Sequence, residues 1–252
     1  MSRYFIYLSY NGTRYCGWQI QPNGLSIQQC IEEKLSLLQR QTVNVVGAGR
    51  TDAGVHARMM AAHFDSEQPI DDLAGLTAKL NLLLPYDIAI ERIIQVKENA
   101  HARFDALSRT YQYYVSDRKS AFNHEWVCRM PLQGMDFTQM NRACHILTEY
   151  TDFTSFSKLH TDVKTNICLI ESAEWQQEGS IWIFTIKADR FLRNMVRAIV
   201  GTLFEVGRGK CSLDGFRQII EARNRCNAGT SVSAKGLALV DITYPEELFD
   251  IV

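Results

Sequence analysis

The chain has 252 residues, 46% hydrophobic and 22% charged, which suits a globular protein with a proper core, built as one large domain or two modest ones. Its 27 basic and 28 acidic side chains leave a formal net charge of −1, so no global positive excess marks it as a nucleic-acid binder. Seven cysteines, an odd number without a C-x-x-C pair, argue for a reducing compartment and against a disulfide framework or a structural zinc. Met1-Ser2-Arg3-Tyr4 runs straight into a strand pattern, with no signal-peptide pattern and no long apolar span. The expectation is a cytoplasmic protein that makes no use of a membrane.

Residues 3–10 are aromatic and β-branched and predict a strand, closed by the turn signal Asn11-Gly12. Residues 13–19 mix aromatics with Arg14 and Gly17, and read as a packed loop or as part of a binding wall. Residues 26–40 predict an amphipathic helix, with Ser26 as its cap and Ile27, Ile31, Leu35 and Leu38 as one apolar stripe. Val43, Val45 and Val46 predict a short strand. The chain then enters Gly47-Ala48-Gly49-Arg50-Thr51-Asp52-Ala53-Gly54-Val55-His56-Ala57.

Three glycines in that segment suit positive φ or close approach of another molecule. Arg50 and Asp52 are two apart, so in extended backbone they point the same way. A carboxylate at a glycine-walled strand exit, with a guanidinium beside it, is a place for chemistry, although most segments of this kind are plain turns whose Asp bonds its own backbone. The segment lacks the G-x-G-x-x-G spacing of a dinucleotide site and the Gly-Lys-Ser/Thr of a phosphate loop.

Further on, residues 59–65 predict a strand, 71–84 a helix and 88–96 a strand. The order strand–helix–strand–strand–helix–strand is the ferredoxin-like split βαβ pattern. A domain boundary is expected at residues 105/106, giving an N-terminal β/α domain (1–105) and a C-terminal one (106–252). Residues 107–115 alternate as a strand with Tyr111 and Tyr113 on one face; core packing is the commoner role of such tyrosines. Residues 137–150 predict a helix, and 167–175 with 181–187 a hairpin. Residues 191–203 predict a helix carrying Arg193 and Arg197 on one flank, 212–222 a further helix and 237–244 a closing strand. Nine basic against four acidic residues between Lys187 and Arg225 hint at an anionic partner, although charge runs are usually just solvated faces.

The glycine segment resembles the signature of the bacterial tRNA pseudouridine synthase A family, and the likeness recurs in order along the chain. Tyr10-Asn11-Gly12-Thr13 with Tyr15 and Gly17-Trp18-Gln19 is similar to the family's opening. His101-Ala102-Arg103-Phe104 with Arg109-Thr110-Tyr111 is similar to its middle. Phe191-Leu192 with Met195-Val196-Arg197 and Ile199-Val200-Gly201 is similar to its late helix, and Gly236-Leu237 with Leu239 to its closing strand. Arg193-Asn194 stands where the family commonly has histidines, and Ser233 where it commonly has proline.

The resemblance implies an α+β pseudouridine synthase fold of two ferredoxin-like β/α halves, with largely antiparallel or mixed sheets and a central catalytic cleft. It implies isomerisation of uridine to pseudouridine at positions 38, 39 and 40 in the anticodon arm of tRNA, without cofactor or metal. By the same likeness Asp52 is the nucleophile, acting at C1′ or C6 or through elimination at C2′. Arg197 is the basic partner of that carboxylate. Tyr111 stacks on the target base and assists loss of the C5 proton, and Arg50 helps extrude the nucleotide. Arg58, Arg193 and Leu237 are further substrate-binding candidates, and a homodimer is expected. Two rivals stand beside this reading. One is a non-catalytic RNA-binding protein of ferredoxin-like fold. The other is a hydrolase using Asp52 with His56 or His63, disfavoured because no second carboxylate lies at a telling spacing; His56 reads better as a structural residue that holds the loop.

Overall fold

The structure is a computed structural model that describes residues 1–22, 24–158 and 165–249. In chain order its elements are β1 (Ser2–Tyr10), α1 (Ile27–Gln39), β2 (Val46–Gly47), β3 (His56–Ser66), α2 (Leu73–Leu83) and β4 (Ile88–Val96). There follow β5 (Ser108–Ser116), β6 (Cys128–Arg129), α3 (Phe137–Leu147), β7 (Ile170–Glu178), β8 (Ile181–Ala188), α4 (Met195–Gly207), α5 (Leu213–Glu221) and β9 (Leu237–Thr243). Among the described residues no helix is long and apolar enough to cross a membrane. By compactness the chain forms two units, Met1–Leu107 with the segment from Leu239 onward, and Ser108–Ala238. This differs from the division at 105/106 in giving the chain's last segment to the first unit. The reason is visible in the contacts: Leu107 N–H donates to Thr243 O (2.8 Å), Tyr244 Oη–H to Ala102 O (2.5 Å), and the Tyr244 ring meets Phe5 edge-on.

In the first unit β1 lies antiparallel between β4 and β3, and β2 pairs with β3. The order β4-β1-β3-β2 is what a split βαβ chain produces. Ser26 caps α1 by accepting from Gln29 N–H (3.2 Å), and Ile27, Ile31 and Leu35 of the expected stripe are buried. Asp72 caps α2 in the same way, accepting from Gly75 N–H (2.7 Å). Phe5, Ile6 and Leu8 of β1 are fully buried with Phe64 of β3, each worth about 1.5–3 kcal/mol relative to exposure.

The strand expected over Val43–Val46 shrinks to Val46–Gly47. The amides before it bond to α1 instead of to a ladder: Val43 N–H to Ser36 Oγ (2.9 Å) and Val45 N–H to Glu32 Oε1 (2.8 Å). Val45 O accepts from Gln28 Nε2 (3.0 Å).

In the second unit β8 pairs antiparallel with both β5 and β7, and β6 runs parallel to β5, so the sheet is mixed. The α+β class is as expected. The hairpin β7–β8 turns at Gly179, whose φ of +57° lies in the left-handed region. α3 packs on β7 and α4, and α4 is buried on nearly every face, including Met195, Ala198, Ile199 and Leu203. α4 starts at Met195, four residues later than expected, because Asn194 is left-handed (φ +67°) and cannot continue a right-handed helix from Phe191.

One buried titratable group links this fold to pH. His63 on β3 is only 5% exposed, between Phe5 and His101, and its Nδ1 accepts from Ala102 N–H (3.1 Å). Burial, then the Arg3 guanidinium and His101, lowers its pKa from 6.5 to about 4. The native state therefore holds His63 neutral, while the unfolded chain takes up the proton below pH 6.5. The stabilisation is complete above that pH and is lost as pH falls towards 4. Urea unfolding at pH 7 and pH 4.5 is expected to differ by on the order of 2 kcal/mol from this group, and His63→Gln to flatten that part of the profile. A wild-type profile already flat between these values would contradict the assignment.

Candidate active site

In the first unit, the Asp52 segment leaves β2 and re-enters regular structure at His56. Between them the chain makes few ladder bonds. Ala48 N–H reaches Ala61 O (2.8 Å), and Val55 N–H closes a turn on Asp52 O (3.1 Å), with Gly54 at φ +78°. Residues 10–18 supply further support. Tyr10 Oη and Thr51 Oγ1 share a buried hydrogen bond of 2.9 Å. Trp18 N–H donates to Thr51 O (3.2 Å), and Gly54 N–H to Tyr15 O (3.4 Å). His56 Nδ1 accepts from Gly12 N–H (3.1 Å), which makes His56 part of the frame, the role its position suggested.

The fit is close enough to exclude a side chain at several points. A methyl group at Gly17, itself at φ +104°, would stand 2.4 Å from Thr51 O, and one at Gly47 would stand 2.4 Å from the Trp18 ring. Tyr15 and Trp18 are 4% and 3% exposed. Residues 13–19 thus support the carboxylate loop from inside, which favours the packed-loop reading over the binding wall. On this frame Arg50 is exposed, Thr51 buried and Asp52 half-buried, and Arg58 stands exposed on β3.

In the second unit, Tyr111 sits on β5 opposite Ile186 of β8. It is half-buried, and its ring meets Phe191 edge-to-face at 5.1 Å and 83°, which limits its rotation. Tyr113, two residues on, is fully buried and belongs to the core. Arg197 lies in the first turns of α4, with its Nε donating to Val232 O (2.7 Å) while Val232 N–H donates to Arg197 O (3.1 Å). The expected pairing of Arg193 and Arg197 on one helix flank fails, because Arg193 precedes the left-handed Asn194 and lies outside the helix. Arg193 is exposed, and Leu237 is buried at the start of β9.

The two departures from the family pattern fit locally. Asn194 adopts left-handed φ and donates through Nδ2 to Ser231 Oγ (2.6 Å). Ser233 has φ −55°, close to the value a proline ring imposes, and its Oγ accepts from Lys235 N–H (3.3 Å).

The basic run between Lys187 and Arg225 is less free than its charge count suggests. Lys187 pairs with Glu171 (2.6 Å), Arg208 with Glu205 (3.0 Å), Arg223 with Asp152 (3.0 Å), and Arg217 with both oxygens of Glu149. Three of those four acids lie outside the run. Sequence reasoning missed Tyr10 and Thr51 as supports of the Asp52 loop. The available signal was Thr51 beside Asp52 together with the aromatic cluster at 10–18, but the contact spans 41 residues of chain.

The family model described as tRNA pseudouridine synthase matches residues 6–105 and 150–245, and the chain belongs to that family. A relative from Parabacteroides distasonis, named tRNA pseudouridine synthase A, is 65% identical over 251 residues, covering 100% of this chain and 99% of the relative. One of the same name from Bacteroides thetaiotaomicron is 58% identical over 252 residues, covering 99% and 93%. Another from Exiguobacterium sibiricum is 36% identical over 246 residues, covering 98% of each chain.

The frame around Thr51 makes a stability prediction. Tyr10→Phe and Thr51→Val each strand one buried polar partner and are expected to cost about 1–3 kcal/mol, whereas the double variant costs less than the two together. Denaturant unfolding of all four proteins measures this coupling, and strictly additive losses would show that the bond contributes nothing.

Proposed function

We propose that this chain isomerises uridine to pseudouridine in tRNA, at positions 38, 39 and 40 of the anticodon stem-loop, with Asp52 as the nucleophile. The observation that carries the reading is the family match across both units, together with an aspartate loop held from inside by residues 10–18. The reaction breaks the N1–C1′ bond and forms a C5–C1′ bond. The proton at C5 leaves and N1 regains one, so atoms balance and no electrons are gained or lost. Attack at C1′, addition at C6 and elimination through C2′ all need the ionised carboxylate. A cationic partner favours that form, and this is the role proposed for Arg197.

Tyr111 is proposed to stack on the extruded base and to assist removal of the C5 proton. Its edge contact with Phe191 supports this by fixing the ring plane. Arg50 is proposed to help extrude the nucleotide, and its exposure on a rigid loop supports that role. Extrusion costs a few kcal/mol, and stacking on one aromatic returns about 1–3 kcal/mol. Phosphate contacts supply the rest, with Arg58 and Arg193 as candidates and Leu237 as an apolar contact. The working form is proposed to be a cytoplasmic homodimer that handles one tRNA.

The direct test is carbodiimide mapping of unmodified tRNA that carries uridine at position 38, 39 or 40 singly. Conversion at each of these positions and at no other uridine is the expected result. Salt-sensitive binding without conversion would instead favour the non-catalytic RNA-binding alternative. Tyr111→Phe is expected to keep tRNA affinity within about twofold and to slow single-turnover isomerisation by roughly 10²-fold or more, the scale of general acid–base catalysis. An unchanged rate would move the proton transfer elsewhere. Arg50→Ala is expected to lower the slope of log affinity against log salt by about one, whereas Arg217→Ala and Arg223→Ala, already paired with acids, leave it unchanged. The reverse pattern would place the RNA on the paired arginines.

A further inference from the structure

The first unit contains a line of aromatic rings that runs from the core to the solvent. Phe5 is fully buried and His63 nearly so, with their centroids 6.3 Å apart. His63 meets His101 edge-on at 4.6 Å, and His101 meets Phe104 at 4.2 Å and 36°. The line ends at Phe104, which is 74% exposed. The Arg103 guanidinium stands 5.6 Å from the Phe104 ring centroid, within cation–π range.

A single exposed phenylalanine is ordinary on a protein surface. This one differs in the frame that holds it out. His101 N–H donates to Asp105 Oδ2 (2.7 Å), and Asp105 N–H returns to His101 O (3.1 Å). His101 Nδ1 accepts from the amides of Arg103 (3.1 Å) and Phe104 (3.3 Å). Ala102 is pinned on both sides, its N–H to His63 Nδ1 (3.1 Å) and its O to Tyr244 Oη (2.5 Å). Arg3 holds Ala100 O (2.8 Å) and forms a two-bond pair with Asp65. Ala100 and Ala102 are fully buried, so the turn is anchored on alternate residues and presents Arg103 and Phe104 outward. Both imidazoles accept through Nδ1, which requires that nitrogen to be unprotonated, and burial lowers both pKa values accordingly. The exposed ring is therefore rigidly placed at neutral pH, so little side-chain and loop entropy remains to be lost when a partner stacks on it.

We infer that Phe104 is a stacking platform for an unpaired nucleobase of the RNA substrate, with Arg103 serving the adjoining phosphate. The inference rests on the tRNA reading above and adds to it a contact outside the proposed chemistry. A nucleobase extends the line of rings by one more π-face, and a phosphate attached to it complements the cation beside the ring.

The test measures tRNA binding as a function of salt for wild type, Phe104→Ala, Phe104→Trp and Arg103→Ala, with each oligomeric state fixed by analytical ultracentrifugation. Phe104→Ala is expected to weaken binding about 5- to 150-fold, the span of one base–aromatic stack, with the salt slope unchanged because no charge is lost. Phe104→Trp is expected to bind at least as tightly as wild type, and its added indole emission to be quenched by tRNA. Arg103→Ala is expected to lower the salt slope by about one. Thermal unfolding of Phe104→Ala should match wild type, since the ring is exposed. Wild-type affinity for Phe104→Ala, or an unquenched Phe104→Trp indole, would overturn the inference. So would dissociation of an oligomer that accounts for the whole loss, because the ring would then be a subunit contact. Absence of tRNA binding by the wild type would instead fail the parent reading, which keeps the two failures distinct.

Discussion

The buried hydrogen bond between Tyr10 Oη and Thr51 Oγ1 is the constraint on which the candidate chemistry depends. The aspartate beside Thr51 sits on a loop with few ladder bonds of its own. Left to local propensity, residues 48–55 would sample many turns, and a carboxylate misplaced by an ångström loses much of what proximity can contribute to a reaction. The first strand and the loop after it remove that freedom. Tyr10 holds the Thr51 side chain, Trp18 holds its carbonyl, and glycines at 17 and 47 let the two segments approach more closely than any side chain allows. His56 ties the far end of the loop to Gly12. The rigidity at Asp52 comes from residues some 40 positions earlier in the chain, and it is tertiary in origin.

That origin explains what could be read in advance. Elements governed by local signals were legible. Ser26 caps its helix through a side-chain oxygen, the aromatic and β-branched run at 3–10 forms β1, and the hairpin turns at Gly179. The βαββαβ order led to the β4-β1-β3-β2 arrangement because few topologies join such elements without crossings. What failed was decided by partners distant in sequence or by backbone geometry. Val43 and Val45 have strand propensity, yet α1 side chains take their backbone groups. The periodicity of 191–203 continues through Asn194, yet the left-handed backbone there starts the helix at Met195 and removes Arg193 from it. The likeness to the family named Asp52, Tyr111 and Arg197. The supports at Tyr10 and Thr51 carry no local mark of their role.

Charge shows the same contrast between composition and fold. A local excess of positive residues on paper is partly neutralised once Glu149, Asp152 and Glu171 come to the side chains of Arg217, Arg223 and Lys187. Exposed pairs of this kind contribute little to stability, but they remove cations from the field that an RNA would meet. In a chain of net charge −1, electrostatic attraction for a polyanion rests on a limited set of cations at chosen positions. On the proposed reading, shape, an extruded base and aromatic stacking carry a larger share of recognition, which is the usual balance for RNA.

The measurement that tests the central claim most directly is tritium release from tRNA labelled at uridine C5, with wild type and Asp52→Asn compared in single turnover. Asparagine keeps the size of the side chain and removes the charge. The account expects release by the wild type, none above background by Asp52→Asn, and tRNA affinity retained in both. Release by the asparagine variant at a rate near wild type would contradict it and would remove the carboxylate from the reaction.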